Sequence, residues 1–294
     1  MSIKIASFNM RAFSSNTNRD LQTIAKIIFD QGYSIVAMQE VLDEKVIMDL
    51  VSIMNHYGGK WRSSADKPLQ TNKKKEEHYV FLWNEKKVAL ARKEEIVKGT
   101  RVSTEVVPRI IDDYRGSEKT ALARDPLYGR FWPKGDDYSE IRLINVHIKS
   151  TKYNIADRNR EFIILSDKIY HTYCCKEPGT RSIYTIMLGD YNLNLNRQWV
   201  DGHYMWHELY EIKDNGNVQK IRTVQDKRTT FRKDSVDFAN NFDHFSYDEK
   251  LDDIVFEVAV NDTVKNYMNG SFEDHFNKIS DHIPIEITIN PRNY

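Results

Sequence analysis

Short apolar runs recur along the chain, and polar or glycine residues bound each of them. Runs of this length between turn signals are typical of buried β-strands. They lie at Ile3–Phe8, Ser34–Gln39, Ile141–Ile148, Ile183–Leu188, Ile254–Val260 and Ile283–Ile289. Other segments place apolar residues on one face at helical spacing and predict helices at Asn18–Asp30, Asp43–His56 and Ile155–Thr172.

Two further apolar segments, His78–Trp83 and Val88–Ala91, flank the turn residues Asn84-Glu85-Lys86 and predict a hairpin. Residues 99–139 are polar and irregular, which indicates loops and short strands. Strands and helices therefore alternate only partly, and this favours a mixed two-sheet core with outer helices over a plain parallel sheet. No linker rich in proline, glycine or serine divides the chain, so we expect a single domain spanning 1–294.

The composition narrows the class of protein and its partners. Hydrophobic residues make up 40% of the chain, which is enough for a sizeable core and excludes a disordered protein. The 43 acidic and 43 basic side chains give a formal net charge of +0, which excludes a globally basic nucleic-acid binder. A locally basic face stays open, because net charge says nothing about distribution. The run Lys73-Lys74-Lys75 predicts a solvated loop that could supply such local positive potential.

Targeting and cross-linking features are sparse. The segment Met1–Ala6 leads into a predicted strand without the apolar region of a signal peptide. No apolar run is long enough to span a membrane, and the adjacent Cys174 and Cys175 imply no disulfide framework. We therefore expect a cytoplasmic protein with no membrane anchor, with secretion by a leaderless or trimmed route as the alternative. The neutral net charge gives no indication of its oligomeric state.

The segment Gly189-Asp190-Tyr191-Asn192 follows the apolar run Ile183–Leu188. Side chains alternate along an extended chain, so Asp190 and Asn192 are expected to point the same way. Gly189 lets the backbone turn tightly just before them. A carboxylate acceptor beside an amide that both donates and accepts is suited to positioning a water molecule against a phosphorus atom. So short a motif is weak evidence by itself.

Polar residues occupy the ends of several other predicted strands. A charge placed directly against a buried strand is costly unless it is paired or bound to a metal. So many of them at strand ends indicate one cleft in which they converge. The residues are Asn9, Glu40, His147, Asp252, Asp253, Asp281 and His282.

The residue types favour a reaction class. The oxygen ligands of Glu40, Asn9 and Asp281 suit a hard cation such as Mg²⁺ or Ca²⁺ better than zinc. Histidines and carboxylates around such an ion suit cleavage of a phosphoester, because imidazolium groups and the metal stabilise the negative charge of the transition state. An aspartate beside a histidine raises its protonated fraction and fixes its orientation.

Taken in order, these motifs resemble those of the endonuclease/exonuclease/phosphatase superfamily. They are Ser7-Phe8-Asn9-Met10-Arg11, Met38-Gln39-Glu40-Val41, Asn145-Val146-His147, Gly189-Asp190-Tyr191-Asn192, Leu251-Asp252-Asp253-Ile254-Val255 and Ser280-Asp281-His282-Ile283-Pro284-Ile285. The resemblance is greatest to deoxyribonuclease I and to the nuclease subunit of cytolethal distending toxins. It implies an α/β (α+β) fold, a four-layer sandwich of two packed mixed β-sheets flanked by helices.

The resemblance also implies roles around a divalent ion. Glu40 would bind the main ion, helped by Asn9 and Asp281, and the expected ion is Mg²⁺, with Ca²⁺ or Mn²⁺ as alternatives. Asp190 would orient or deprotonate the attacking water, beside the metal. Asn192 would hold the scissile phosphate or a second ion.

The remaining implied roles belong to two histidines and two arginines. His147 would act on the substrate with support from Glu77. His282 would do so with support from Asp252, whose position in the motif matches better than that of Asp253. The sequence alone leaves two interpretations of the nearby Phe242-Asp243-His244-Phe245, a rival element of the site or a structural loop, and the loop is favoured. Arg11 and Arg124 would grip phosphates, since Arg11 follows Asn9 closely and Arg124 begins an Arg-Asp-Pro resembling the Arg-Glu-Pro of deoxyribonuclease I.

These implications predict a divalent-metal-dependent phosphodiesterase, with DNA the expected substrate and an endonuclease of low sequence specificity the leading interpretation. One alternative is a phosphomonoesterase or phospholipase-like member of the superfamily that acts on inositol phosphates or sphingomyelin. Another is a catalytically inactive nucleic-acid-binding relative. The superfamily's catalytic core is shared across these activities, so the core residues alone do not choose between them.

Overall fold

The computed structural model describes residues 2–67, 77–98, 100–112, 122–149, 155–175, 181–194, 209–214 and 217–291. The predicted lysine run at 73–75 lies outside the described residues. The strands are β1 (Ile3–Phe13), β2 (Ile35–Val41), β3 (Trp61–Asp66), β4 (His78–Asn84), β5 (Val88–Leu90), β6 (Arg92–Val97), β7 (Thr100–Glu105), β8 (Arg109–Ile110), β9 (Leu127–Pro133), β10 (Ser139–His147), β11 (Ser182–Asp190), β12 (Leu209–Asp214), β13 (Asn217–Val224), β14 (Asp243–Asp248), β15 (Val255–Val260) and β16 (Ile285–Ile289).

The helices frame these strands. They are α1 (Leu21–Asp30), α2 (Glu44–His56), α3 (Ile155–Ile164), a π-helical segment (Leu165–Tyr170), α4 (His171–Cys175), a 3₁₀ turn (Glu249–Leu251), α5 (Thr263–Tyr267) and α6 (Phe272–Lys278). Asp20 and Asp43 cap α1 and α2 through their carboxylates, which satisfy amides of the first turn. None of the helices in the described part of the chain is long and apolar enough to cross a membrane.

The strands form two large mixed sheets and a small ribbon. One sheet has the order β15-β16-β1-β2-β4-β3, and the other has the order β12-β13-β14-β11-β10-β9-β5. Each contains one parallel pair, β1 with β2 and β10 with β11, among antiparallel neighbours. Among the residues that the structure describes, strands β6 and β7 pair only with each other.

Side-chain alternation divides the core into layers. In β1, Ile3 and Ile5 pack between the two sheets, whereas Phe8 and Met10 pack outward against α1 and α2. Outward-facing residues of β10 and β11 likewise pack against α3, the π-helical segment and α4. The result is helix, sheet, sheet and helix in four layers, which confirms the predicted fold class.

Two sequence predictions, one of a hairpin and one of a helix, were wrong in detail. The segments at 78–83 and 88–91 are strands, but β4 and β5 belong to different sheets, so the turn at Asn84 carries the chain across the sandwich instead of closing a hairpin. The predicted helix Ile155–Thr172 is interrupted by the π-helical turn at Leu165–Tyr170. Such turns are rare, and the helical periodicity of a sequence does not predict them.

Polar side chains join the two sheets below one edge of the sandwich. Gln39 Nε2 on β2 donates hydrogen bonds to Ser7 Oγ on β1 (3.1 Å) and to Asn145 Oδ1 on β10 (2.7 Å). Asn145 Nδ2 in turn donates to the Met38 carbonyl (3.0 Å). All of these side chains are buried, and they fix the ends of β2 and β10 relative to each other.

Candidate active site

The polar strand ends predicted from the sequence meet at one edge of the sandwich. Strands β1, β2, β10 and β11 end there, and β4, β14 and β16 begin there. In the larger sheet His147 is in register with Asp190, and Asp190 with Asp243, so the three lie in a row across neighbouring strands. The register of the parallel strands β10 and β11 therefore places His147 and Asp190 side by side in the site.

Asp190 lies at the centre of the cluster. Its Oδ2 accepts a hydrogen bond from Asn9 Nδ2 (2.9 Å) and lies 3.6 Å from His147 Nε2 and 3.8 Å from His282 Nε2. The side chain is almost fully buried. Burial raises the pKa of Asp190, with the nearby carboxylate of Asp243 adding to the rise and the two histidines opposing it. A carboxylate with a raised pKa is a stronger base than an exposed one.

Asn9 and Glu40 form the second part of the site, at a bulge in β1 and at the end of β2. Asn9 Nδ2 also donates to Glu40 Oε1 (3.2 Å), and the backbone amide of Ala12 donates to Glu40 Oε2 (3.1 Å). Arg11, Ala12 and Glu40 all have positive φ values, 45°, 51° and 57°. Non-glycine residues in this region are strained, and strain of this kind concentrates at functional sites.

His147 is held from behind by Glu77. Its Nδ1 lies 3.2 Å from Glu77 Oε2, and Arg124 Nη2 donates to Glu77 Oε1 (2.8 Å). Burial opposes ionisation of Glu77, but the bonds and charges of His147 and Arg124 prevail and lower its pKa to about 2. Glu77 is therefore ionised at neutral pH and fixes the imidazole orientation, which is the arrangement predicted for this pair. Arg124 is committed to Glu77 here, and its contact with phosphate stays a prediction.

His282 has a different partner from the one predicted. Its Nδ1 lies 2.8 Å from Asp243 Oδ2, and Thr229 Oγ1 donates to the same oxygen (2.6 Å). Burial works against a charged His282, but Asp243, followed by Asp190 and Asp281, outweighs it and raises the pKa of His282 well above its ordinary value. His282 is thus the cationic member of the cluster.

The prediction that Asp252 supports His282 was wrong. The Asp252 carboxylate accepts from Arg222 Nε (3.0 Å) and is 42% exposed at the side chain. It follows the 3₁₀ turn beyond the far end of β14, whereas Asp243 begins β14 at the site. The segment 242–245, predicted to be a structural loop, therefore supplies the carboxylate instead.

Asn192 is fixed by three hydrogen bonds beside Asp190. Its backbone amide donates to Asp190 Oδ1 (2.8 Å), and its side-chain Nδ2 donates to the Ile148 carbonyl (2.9 Å). Its backbone carbonyl accepts from Arg158 Nη1 (2.7 Å). Its φ is 50°, another left-handed non-glycine residue in the site. Arg158 could not be selected from the sequence, because a cation on a predicted helix is most often solvated.

Asp281 and Arg11 lie at the rim on the His282 side. Arg11 Nε is 3.6 Å from Asp281 Oδ2, its guanidinium lies over the Phe276 ring at 3.4 Å from the centroid, and its Nη1 donates to the Phe276 carbonyl (3.0 Å). Burial raises the pKa of Asp281, and Glu40 adds to the rise while His282 and Arg11 oppose it. Contact between Arg11 and phosphate stays a prediction.

The donor chemistry of the cluster fits a hard divalent cation, although its arrangement is incomplete as a cage. Glu40, Asp190 and Asp281 are oxygen ligands of the kind such ions prefer, and the raised pKa values of Asp190 and Asp281 indicate carboxylate charge that lacks full compensation. Asn9 Oδ1 is occupied by the Arg11 amide (2.9 Å). Among the described residues, no three His, Cys, Asp or Glu side chains converge closely enough to hold a metal as they stand.

His275 supports the site from below and was not selected from the sequence. Its Nδ1 lies 2.7 Å from the Ser280 carbonyl, and its Nε2 lies 2.7 Å from Thr263 Oγ1. Ser280 Oγ donates to the Asn9 carbonyl (2.7 Å) and accepts from the His282 amide (3.2 Å). A neutral His275 that donates to Ser280 and accepts from Thr263 therefore fixes the segment that carries Asp281 and His282.

We expect His275 to make the fold sensitive to acid. Burial, opposed by the bond to Ser280, lowers the pKa of His275 to about 4. The unfolded chain takes up this proton near pH 6.5, so the free energy of unfolding should fall by about 3 kcal/mol between pH 6.5 and 4 on account of this group. Urea unfolding of the wild type and His275→Gln across this range measures the effect, with exposed His56→Gln as control. Equal pH slopes in the wild type and His275→Gln would contradict the assignment.

Similar proteins were found by structure and not by sequence. No protein-family model and no curated protein matches the chain. The endonuclease/exonuclease/phosphatase from Bacteroides vulgatus superposes with a TM-score of 0.60 at 12% identity, covering 99% of this chain and all (100%) of that one. The chain has the endonuclease/exonuclease/phosphatase fold. This confirms the predicted resemblance at the level of fold.

Two other proteins with this fold have different activities. ANGEL2, a 2′,3′-cyclic phosphatase, has a TM-score of 0.57 at 12% identity over 98% of this chain and 94% of that chain. An AP endonuclease from Archaeoglobus fulgidus has a TM-score of 0.52 at 14% identity over 98% of this chain and 100% of that chain. At such identities the likeness establishes the fold, and the substrate has to be argued from the site.

Proposed function

We propose that this protein is a divalent-metal-dependent phosphodiesterase, and specifically a DNA endonuclease of low sequence specificity. The observation that carries the proposal is the position of Asp190 between two imidazoles, 3.6 Å from His147 Nε2 and 3.8 Å from His282 Nε2. Each imidazole has its own carboxylate behind it, Glu77 or Asp243. A base flanked by two oriented imidazoles suits in-line attack of water on phosphorus.

The chain's own residues divide the reaction between them. Asp190, with its raised pKa, accepts a proton from the attacking water. His282, with its raised pKa, is protonated near neutral pH and donates to a non-bridging or leaving oxygen as negative charge develops there. His147 contacts a non-bridging oxygen from the opposite side, and Asn192 holds the phosphate through its side-chain amide.

We propose Mg²⁺ as the cofactor, with Ca²⁺ or Mn²⁺ as alternatives. Glu40 and Asp281 would hold it together with Asn9, and the Asp190–Asn192 pair borders the same space. When bound, such an ion acts as a Lewis acid on a phosphoryl oxygen and lowers the pKa of water. The structural neighbours include a cyclic phosphatase and an AP endonuclease, and both of these activities support a phosphoester as the substrate class.

The positions of two arginines support a polymer over a small ester. Arg11 lies beside Asp281, and Arg124 lies beside Glu77 on the His147 side. Cations on both flanks of one reaction centre suit a substrate whose negative charge continues in both directions. A nucleic-acid strand has that property, because each nucleotide adds a phosphate.

The test is nicking of supercoiled plasmid by the purified protein with Mg²⁺, with and without EDTA. We expect open-circular DNA with Mg²⁺ and none with EDTA, and no nicking by Asp190→Asn purified in parallel, which controls for contaminating nuclease. Intact plasmid together with phosphate released from an inositol phosphate would replace the nuclease by a phosphomonoesterase. DNA binding without cleavage under Mg²⁺, Ca²⁺ and Mn²⁺ would indicate an inactive binding relative.

A further inference from the structure

The loop between β13 and β14, residues 225–242, forms one wall beside His282, and we call it the rim loop. It carries four cations within 227–233, and all four are exposed: Lys227, Arg228, Arg232 and Lys233. The three residues between these pairs, Thr229, Thr230 and Phe231, are buried. The loop therefore presents a cationic pair on either side of a buried anchor.

The anchor is bonded directly to the residues of the candidate site. Phe231 N donates to the Asp281 carbonyl (3.0 Å), and Ile283 N donates to the Thr229 carbonyl (3.0 Å). Thr230 forms an isolated β-bridge with His282. Thr229 also donates its hydroxyl to Asp243, the carboxylate behind His282. The cationic pairs are thus held at fixed positions relative to His282.

An aromatic cluster supports the anchor from the other side. The Phe231 ring makes edge contacts with Phe238 (5.8 Å between centroids), Phe272 (5.0 Å) and the imidazole of His275 (5.4 Å). Such contacts add stability beyond simple burial. A loop fixed in this way loses little conformational freedom when a ligand binds across it.

The four cations have few carboxylate partners. Arg228 lies 4.0 Å from Asp237, and Lys233 lies 3.5 Å from Glu273, with both pairs exposed. Lys227 and Arg232 form no ion pair within the described residues. Asp226, Asp234 and Asp237 reduce the net charge of the loop, but exposed pairs of this kind are weak and readily exchange for phosphate.

We propose that the rim loop binds the phosphates that flank the scissile bond of a nucleic-acid strand on the His282 side. The inference rests on the proposed function, because it assumes that the substrate continues beyond the reacting phosphate. Backbone contacts of this kind carry no sequence information and make binding strongly salt-dependent. They also explain how a chain of zero net charge holds a polyanion, since the cations are concentrated where the strand passes.

The test neutralises two cations and compares them with a matched pair. Lys227→Gln/Arg232→Gln removes two positive charges from the rim loop. The control Lys86→Gln/Lys134→Gln removes two positive charges at exposed positions that follow β4 and β9, at the ends of these strands away from the candidate site. Binding of a fluorescein-labelled 30-nucleotide DNA is measured by anisotropy in an Asp190→Asn background, across NaCl concentrations. We expect the rim-loop variant to bind roughly tenfold more weakly and its log Kd–log salt slope to decrease by about 1.4, the value for two phosphate contacts on a single strand, with no change in the control.

The substrate dependence separates this inference from the proposed function. Turnover of bis(4-nitrophenyl) phosphate, which has no flanking phosphates, should be the same in the wild type and the Lys227→Gln/Arg232→Gln variant. Equal DNA affinity of the two double variants, or an equal loss of small-ester turnover in the rim-loop variant, would overturn the role of the loop. A wild-type protein that binds DNA through the loop but never cleaves it would overturn the endonuclease and leave the surface intact.

Discussion

Asp243→Asn is expected to lower kcat for phosphodiester hydrolysis by about 10²–10⁴-fold, the range typical of an oriented acid–base group. Asp252→Asn makes the same chemical change at the residue that the sequence predicted to support His282. Its kcat should stay within about twofold of the wild type, because the Asp252 carboxylate pairs with Arg222 on the surface. The asparagine at 243 keeps the size of the side chain but removes the charge that raises the pKa of His282.

Two measurements connect the loss to His282. The pKa of His282, followed by NMR of the imidazole, should fall in Asp243→Asn and stay constant in Asp252→Asn. Thermal unfolding of both variants checks that the fold is retained. Wild-type turnover in Asp243→Asn would contradict the assignment of Asp243 as the residue that supports His282. A matching loss of turnover in Asp252→Asn would favour Asp252, the residue that the motif indicated.

The error at Asp252 has a geometric cause. Strand β14 runs from Asp243 to Asp248, and five steps of an extended chain cover about 17 Å. A carboxylate beyond one end of the strand is therefore a long way from a histidine at the other end. Strand boundaries are the least reliable part of a sequence interpretation, and a motif match cannot show at which end of an unseen strand it falls.

The other residues of the site fall into two groups, those that the sequence could identify and those that only the structure reveals. Asn9, Glu40, His147, Asp190 and His282 were identifiable because each follows, interrupts or precedes an apolar run. The parallel pairing of β10 with β11 then places His147 beside Asp190. The left-handed backbone at Glu40 and the neutral support by His275 leave no trace in hydrophobic periodicity. Arg158 was missed for a related reason, since only the folded chain brings its guanidinium to the Asn192 carbonyl.

Gly189 was interpreted from the sequence as a turn residue, and the structure gives it a different task. It lies within β11, in register with Val146 of β10, one residue before the His147–Asp190 pair. A Cβ there would lie 2.9 Å from the Val146 carbonyl carbon and closer still to its oxygen, and the φ of 149° disfavours any side chain. The glycine allows the two strands that carry His147 and Asp190 to approach each other.

Gly189→Ala should therefore lower the free energy of unfolding by about 3 kcal/mol or more, from backbone strain and steric overlap together. Gly270→Ala is the matched control, because Gly270 also has a positive φ, 81°, but has nothing within 4 Å of the added methyl. That variant carries only the strain, about 1 kcal/mol. Urea unfolding gives both values, and equal midpoints would refute the overlap at Val146. Because the overlap can be relieved only by separating β10 from β11, the hydrolytic rate of Gly189→Ala should fall even under conditions in which it remains folded.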